Sequence, residues 1–108
     1  MKALEFTGII PPVLSSFESD GKIYEKGIRE IIKFTLPHVN GYYPIGTYGC
    51  GPLMSIEERK RALEIILDEV NGKVPVVAHV GTADTVTTVE LAKHAKKSGA
   101  QGVGAICP

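Results

Sequence analysis

Gly46-Thr47-Tyr48-Gly49-Cys50-Gly51 places three glycines, a hydroxyl and a phenol in six consecutive positions, directly after an apolar stretch. These residue types suit a small anion. Glycine takes positive φ without steric penalty and leaves backbone N–H groups uncovered, and clustered N–H groups form an anion site. The same residues also suit a plain turn, in which the glycines close the loop and Pro52 stiffens the approach to the next helix; spacing and composition do not separate the two readings. Two phosphate-binding patterns are excluded. The order is G-x-x-G-x-G, not the G-x-G-x-x-G of dinucleotide folds, and no Gly-Lys-Ser/Thr of a P-loop occurs. Asp68 and Glu69, about twenty positions further on, fall within a helical pattern and not at the end of a second strand.

The remaining chemistry-bearing residues are dispersed. His38, His79 and His94 show neither the i, i+4 spacing of a helical metal site nor a cysteine partner at finger spacing, so no metal site is expected. His79 falls near the end of an apolar segment, where it is either packed and hydrogen-bonded or in contact with a ligand. Cys50 lies in the glycine loop without a basic partner to activate it, which fits a small loop-filling residue. Glu57 and Glu58 are adjacent on a helix and point apart, and Glu58 has a capping role.

Four short apolar segments and three helical patterns must hold these groups. Phe6 to Leu14, Gly41 to Ile45, Val74 to Val80 and Gly102 to Ile106 are nearly uncharged and read as buried parallel strands. Tyr42 and Tyr43 straddle the second, so one faces inward and the other packs under a helix. The first helix presents Tyr24, Ile28, Ile31, Ile32, Thr35 and Val39 on one stripe. The second presents Ala62, Leu63, Ile66, Leu67 and Val70 against a polar face of Glu57, Arg59, Lys60, Glu64 and Asp68. It begins near Ile56, because Ser55 and Glu58 form a capping box. The third, predicted over Thr85 to Ser98, carries Val86, Val89, Ala92 and Ala95, with a basic last turn before Gly99. The order is β-α-β-α-β-α-β with strand starts roughly 30 residues apart, the length of a parallel crossover unit. Right-handed crossovers bring the segments that follow the strands to one rim of the sheet, where ligands of α/β folds bind. Those segments are 15–21, 46–55, 81–84 and Cys107-Pro108.

The totals narrow the function classes. The chain has 108 residues, 44% hydrophobic and 22% charged, as one globular unit would. Twelve basic and twelve acidic residues cancel, so no field draws nucleic acid or an anionic membrane. No apolar run approaches the roughly 20 residues that cross a bilayer, and the opening MKALEFTGIIPPVL is interrupted by Glu5 and two prolines where a signal peptide is continuous, which reads as cytoplasmic. Cys50 and Cys107 are expected to be free thiols.

Three stretches, FTGIIPPVLSSFESDGKI, PIGTYGCGPLMSIEER and VPVVAHVGTADTVTTVELAKHAKKSGAQGV, together resemble the opening of the dihydrodipicolinate synthase and N-acetylneuraminate lyase family of pyruvate-dependent class I aldolases. The similarity runs in order along essentially the whole chain. It implies a TIM (β/α)8 barrel whose pyruvate is held as a Schiff base with a lysine, above a tyrosine that moves protons. Gly46, Thr47, Tyr48 and Gly49 would then bind the pyruvate carboxylate, Thr47 being also the catalytic hydroxyl of a proton relay. No metal or organic cofactor is implied. The expected partners are pyruvate or a related 2-keto acid plus an aldehyde, and the expected assembly is a homo-oligomer. Three positions depart from the family pattern: Tyr48 replaces a short hydroxyl residue, Cys50 a glutamate, and Ser15-Ser16 a threonine-proline. They bear on the acceptor aldehyde more than on the pyruvate half.

A barrel of this kind has eight strands in about 250 residues, whereas four strands are read here. The chain is therefore expected to be the N-terminal half of a single barrel domain, with the Schiff-base lysine and its tyrosine beyond Pro108. The lysines within it fall on loops, on polar helix faces or, for Lys73, at the opposite rim, none placed for the burial that keeps an amine unprotonated. Two other readings stay open. One keeps pyruvate and changes the aldehyde, as in a 2-keto-3-deoxy sugar acid aldolase or a hydratase-aldolase. The other is a non-catalytic half-barrel that assembles through its open strand edges as a binding or scaffold protein.

Overall fold

The computed structural model describes residues 6–107, so residues 1–5 and Pro108, the last expected at the ligand-binding rim, lie outside the described residues. Three helices cover one side of a narrow parallel sheet. They are α1 (Glu25–Thr35), α2 (Ile56–Val70) and α3 (Thr85–Ser98), and the sheet is built on β1 (Val77–His79) and β2 (Gly102–Gly104). β1 and β2 pair in parallel, with Val77 opposite Gly102 and His79 opposite Gly104.

Four strands are expected from the sequence and two are found, because prolines remove the donors that a ladder requires. Tyr42 N donates to Pro75 O at 3.0 Å, Val77 N to Tyr42 O at 2.9 Å, and His79 N to Pro44 O at 3.2 Å. The segment at 41–45 thus lies beside β1 in parallel register, with one formal bridge, Tyr42 to Val76. Pro44 and Pro75 can only accept. The segment at 9–11 lies beside it in turn, Asn40 N donating to Ile9 O and Tyr43 N to Pro11 O. Pro11 and Pro12 give nothing back. The four segments lie side by side in chain order, and two of them are extended chain held by a few isolated hydrogen bonds.

The helix ends follow their local chemistry. Ser55 Oγ accepts from Glu58 N at 3.1 Å while Ser55 N donates to Glu58 Oε1 at 3.2 Å, completing the predicted capping box. Asp84 caps α3 by accepting from Thr87 N at 2.7 Å. Gly99 ends α3 at φ 101, a left-handed value that costs glycine nothing. α1 stops at Thr35 and gives way to a 3-10 turn, Leu36–His38, that accommodates Pro37.

The core joins all three helices to the sheet. Ile28 and Ile32 of α1 and Ala62, Ile66 and Val70 of α2 are buried against Tyr42 and Val76. The Tyr42 hydroxyl lies 2.6 Å from Thr35 Oγ1 and 3.2 Å from Ile32 O, so this tyrosine is the one under a helix. Burial pushes its pKa up, the Thr35 contact opposing. Tyr43 faces the other way, its ring beside the position a Gly104 Cβ would take.

Two predicted faces are corrected. Arg59, placed on the polar face of α2, is 5% exposed. On α3, Leu91 and Ala95 are buried whereas Val86 is 79% and Val89 44% exposed. α3 meets α2 along the flank that carries Glu90 and His94, which bond Lys60 at 2.7 Å and Glu64 at 2.8 Å. That contact turns Val86 and Val89 away from the core.

Candidate functional site

The ends of the segment at 41–45, β1 and β2 open onto one rim, as right-handed crossovers require. At this rim the chain leaves Pro44, passes Ile45 and folds back at once. Cys50 N donates to Thr47 O at 3.1 Å and Gly51 N to Gly46 O at 3.0 Å, after which Gly51–Leu53 forms a 3-10 turn leading to Ser55. Thr47 and Tyr48 are exposed at the tip, Tyr48 at 68%. Among the described residues, the N–H groups of Thr47, Tyr48 and Gly49 make no hydrogen bond. Thr47 and Tyr48, which are exposed, therefore offer uncovered donors, whereas Gly49 is buried.

The glycines achieve this differently from expectation. Gly46, Gly49 and Gly51 do not carry the positive φ; Ile45 at φ 65 and Cys50 at φ 59 do. The glycines are required by close approach. A Cβ on Gly49 would lie 2.8 Å from Ile45 N, and one on Gly51 would overlap Ile45 O. The turn is wound around the Ile45 backbone, and only hydrogen-sized side chains let it close. A β-branched residue in the left-handed region is strained and persists only where its surroundings hold it.

His79 and Arg59 supply that hold. His79, 7% exposed, has Nδ1 3.0 Å from Ile45 O, and Ile106 N donates to its Nε2 at 3.4 Å. One imidazole thereby ties together the ends of three neighbouring segments. Arg59 reaches in from α2, donating from Nη1 to Gly81 O at 3.0 Å and from Nη2 to His79 O at 3.1 Å. No carboxylate pairs with it among the described residues, and burial lowers its pKa. Burial first, and the Arg59 charge in addition, lower the His79 pKa against the opposing Ile45 carbonyl. Both ring nitrogens of His79 are hydrogen-bonded, and the ring also borders the cleft described next. Arg59 was missed because its charge was given more weight than its position: residues 59, 63, 66 and 70 form one helical stripe, and the buried members define its face.

A cleft of about 600 Å³ lies over this group, lined by Thr47, Met54, Arg59, His79, Thr82 and Asp84 among others. Its size suits a small molecule. Asp84 holds its carboxyl below the ordinary carboxylate range, chiefly through the Thr87 backbone N–H. Arg59 Nε and His94 Nδ1 are buried and without a partner among the described residues, and both residues also line a separate cavity of about 10 Å³. Cys50 and Cys107 are free thiols. Among the described residues no three His, Cys, Asp or Glu side chains converge as a metal would need, and no helix is long and apolar enough to cross a membrane. Of the sequence-predicted site residues, Gly46, Thr47, Tyr48 and Gly49 are all at the rim. Gly46 and Gly49 are buried in the turn, and Thr47 also borders the cleft.

Comparison with known proteins agrees with this geometry. The 4-hydroxy-tetrahydrodipicolinate synthase of Bartonella henselae is 37% identical over 102 residues, covering 94% of this chain and 35% of its own length. The N-acetylneuraminate lyase of Clostridium perfringens is 39% identical over 103 residues, covering 94% and 36%. A prophage protein of the dihydrodipicolinic acid synthase family from E. coli K12, solved in complex with pyruvate, superposes with a TM-score of 0.92 at 36% identity, covering 95% of this chain and 35% of that one. The chain thus spans about a third of the length of the curated relatives it matches, and its architecture is that of the N-terminal part of their TIM barrel. Residues 5–108 match the Dihydrodipicolinate synthetase family, and the chain belongs to that family.

Proposed function

We propose that the protein bearing these residues is a pyruvate-dependent, Schiff-base-forming lyase of the dihydrodipicolinate synthase type. The observation that carries the reading is the turn at 46–49, whose unpaired N–H groups and Thr47 hydroxyl stand at the rim of a cleft suited to a small carboxylate. It is supported by relatives named as a synthase and a lyase and by a related structure holding pyruvate. A lysine amine outside residues 1–108 would condense with the pyruvate ketone, releasing water and giving an imine. Loss of a methyl proton yields an enamine, whose carbon adds to an aldehyde; hydrolysis of the new imine frees the product, and the reverse sequence cleaves it. Thr47 and the Tyr48 and Gly49 amides would bind the carboxylate throughout, with the Thr47 hydroxyl passing a proton. The chemistry needs neither metal nor organic cofactor. In this reading residues 1–108 form the N-terminal half of one barrel, and the protein is a cytoplasmic homo-oligomer.

Borohydride reduction of the encoded protein in the presence of pyruvate tests this directly. One lysine should gain the mass of a reduced pyruvate adduct. Absence of any adduct would overturn the lyase reading in favour of a non-catalytic half-barrel that binds or assembles.

A second reading within the same chemistry changes the aldehyde. Tyr48 projects a phenol at the rim, and Cys50 stands where the family resemblance places a glutamate. These residues favour a 2-keto-3-deoxy sugar acid or a hydratase-aldolase substrate. Turnover of aspartate semialdehyde at ordinary aldolase rates would exclude it.

A further inference from the structure

We infer that His79 is a positioning residue for the carboxylate-binding turn, its Nδ1–H holding the Ile45 carbonyl around which that turn is wound. The inference rests on the pyruvate-lyase reading above and names the group that sets the geometry of its anion site.

Hydrogen bonding leaves one arrangement of the His79 proton that satisfies every neighbour. The Ile106 amide donates to Nε2, so Nε2 must carry the lone pair. The proton is then on Nδ1 and goes to Ile45 O at 3.0 Å. Arg59 Nη2, 3.2 Å from the same Nδ1, cannot donate to a protonated nitrogen, and its hydrogens are directed at the carbonyls of His79 and Gly81. Arg59 thus fixes the backbone beneath the imidazole, and the imidazole fixes Ile45.

The Ile45 carbonyl is the contact through which this reaches the ligand site. It packs against Gly51, and Ile45 N packs against Gly49, so a displaced Ile45 displaces the turn bearing the Thr47, Tyr48 and Gly49 amides. Without a donor at its carbonyl, burial of the Ile45 side chain alone opposes its unfavourable φ 65. Anion affinity depends on where those amides point, so their misplacement weakens pyruvate binding before it alters the chemical step.

The arrangement requires a neutral imidazole. A second proton would sit on Nε2 against the Ile106 N–H, donor facing donor, beside the Arg59 charge. Other groups around His79 are the Tyr43 ring, with centroids 6.0 Å apart, and, across the two cavities it lines, Asp84 with Cys107 and His94. None of them forms an ion pair with His79 among the described residues. Because burial lowers the His79 pKa, pyruvate binding should weaken as pH falls through that lowered value, below the ordinary 6.5.

The test uses the full encoded protein with pyruvate as probe and compares His79→Phe, which keeps a flat ring without a donor, with His79→Asn, whose amide N–H can occupy the Nδ1 position. His79→Phe should raise the pyruvate KM roughly tenfold with kcat little changed, and His79→Asn should restore most of that loss. The unsubstituted protein should lose pyruvate affinity on acidification, and His79→Asn should lack that limb. If His79→Phe does not fold, the acid limb of His79→Asn decides alone. Equal pyruvate KM in all three proteins, or an unchanged acid limb in His79→Asn, overturns the inference while leaving borohydride trapping, and hence the lyase reading, intact. Absence of trapping in the unsubstituted protein overturns both.

Discussion

Arg29 of α1 meets the carboxylates of Glu25, Asp68 and Glu69 at 3.0, 2.8 and 3.2 Å on the seam between α1 and α2, whereas Arg59 of α2 meets only carbonyls and an imidazole beneath the rim. The seam is wet: the Arg29 side chain is 28% exposed and that of Asp68 72%. Its hydrogen bonds to acids raise the Arg29 pKa, while burial lowers that of Arg59. Ion pairs in water are screened and pay side-chain entropy, so a well-paired surface arginine contributes little. A buried arginine that satisfies backbone carbonyls cannot be removed without leaving those carbonyls bare. The many charge pairs of the helical shell therefore say less about this protein than Arg59, which pairs with no carboxylate among the described residues.

The sharpest way to break this contrast is at the turn itself. Gly51→Ala puts a methyl group into the Ile45 carbonyl and should destabilise the protein by about 3 kcal/mol, with loss of pyruvate trapping. Urea denaturation checks it, and a neutral result would mean that the turn is not wound as described. Arg59→Met keeps much of the volume and removes the donors to His79 O and Gly81 O; a loss of about 2 kcal/mol is expected. Ser55→Ala removes one half of the capping box that starts α2 and should cost about 1 kcal/mol, read as a shift in the urea midpoint at constant slope.

Acidification probes the α3 cap. The folded pKa of Asp84 lies below its ordinary 3.8, so its contribution is complete at pH well above 3.8 and is lost as pH falls through that value toward the folded one. Asp84→Ala should flatten the stability profile in that window, and an unchanged profile would show that the cap is not formed in solution. The smallest effect is expected at the shell: Arg29→Met should leave the urea midpoint nearly unchanged, with any difference vanishing in high salt. If Arg29→Met proved as costly as Arg59→Met, the paired surface arginine would contribute as much as the buried one.

Much of the fold could be read from local rules. The Ser55 and Glu58 pair locates the start of α2, and Gly99 the end of α3, because caps act within one turn. Those features need no partner elsewhere in the chain. Apolar character places 9–11 and 41–45 in the sheet, yet Pro11, Pro12, Pro44 and Pro75 withhold donors that a regular ladder would use. Helical spacing alone puts Val86 and Val89 on the α3 core stripe with Ala95, and the packing of α3 against α2 buries Leu91 and Ala95. Periodicity shows that a helix has a preferred face, and the neighbouring element decides which residues occupy it.

The sequence by itself determined the order of segments, the start of α2, the limits of α3, the family likeness and the location of the glycine turn between Ile45 and Ser55, since each of these depends on neighbouring residues or on a contiguous motif. Only the tertiary structure decided why Gly49 and Gly51 must lack side chains, which residues carry positive φ, and that Arg59 and His79 converge beneath the turn. The Ile45, Arg59 and His79 groups are brought together by parallel packing of separate βα units, and contacts across such distances follow from the shape of the whole assembly, which no local window of residues encodes.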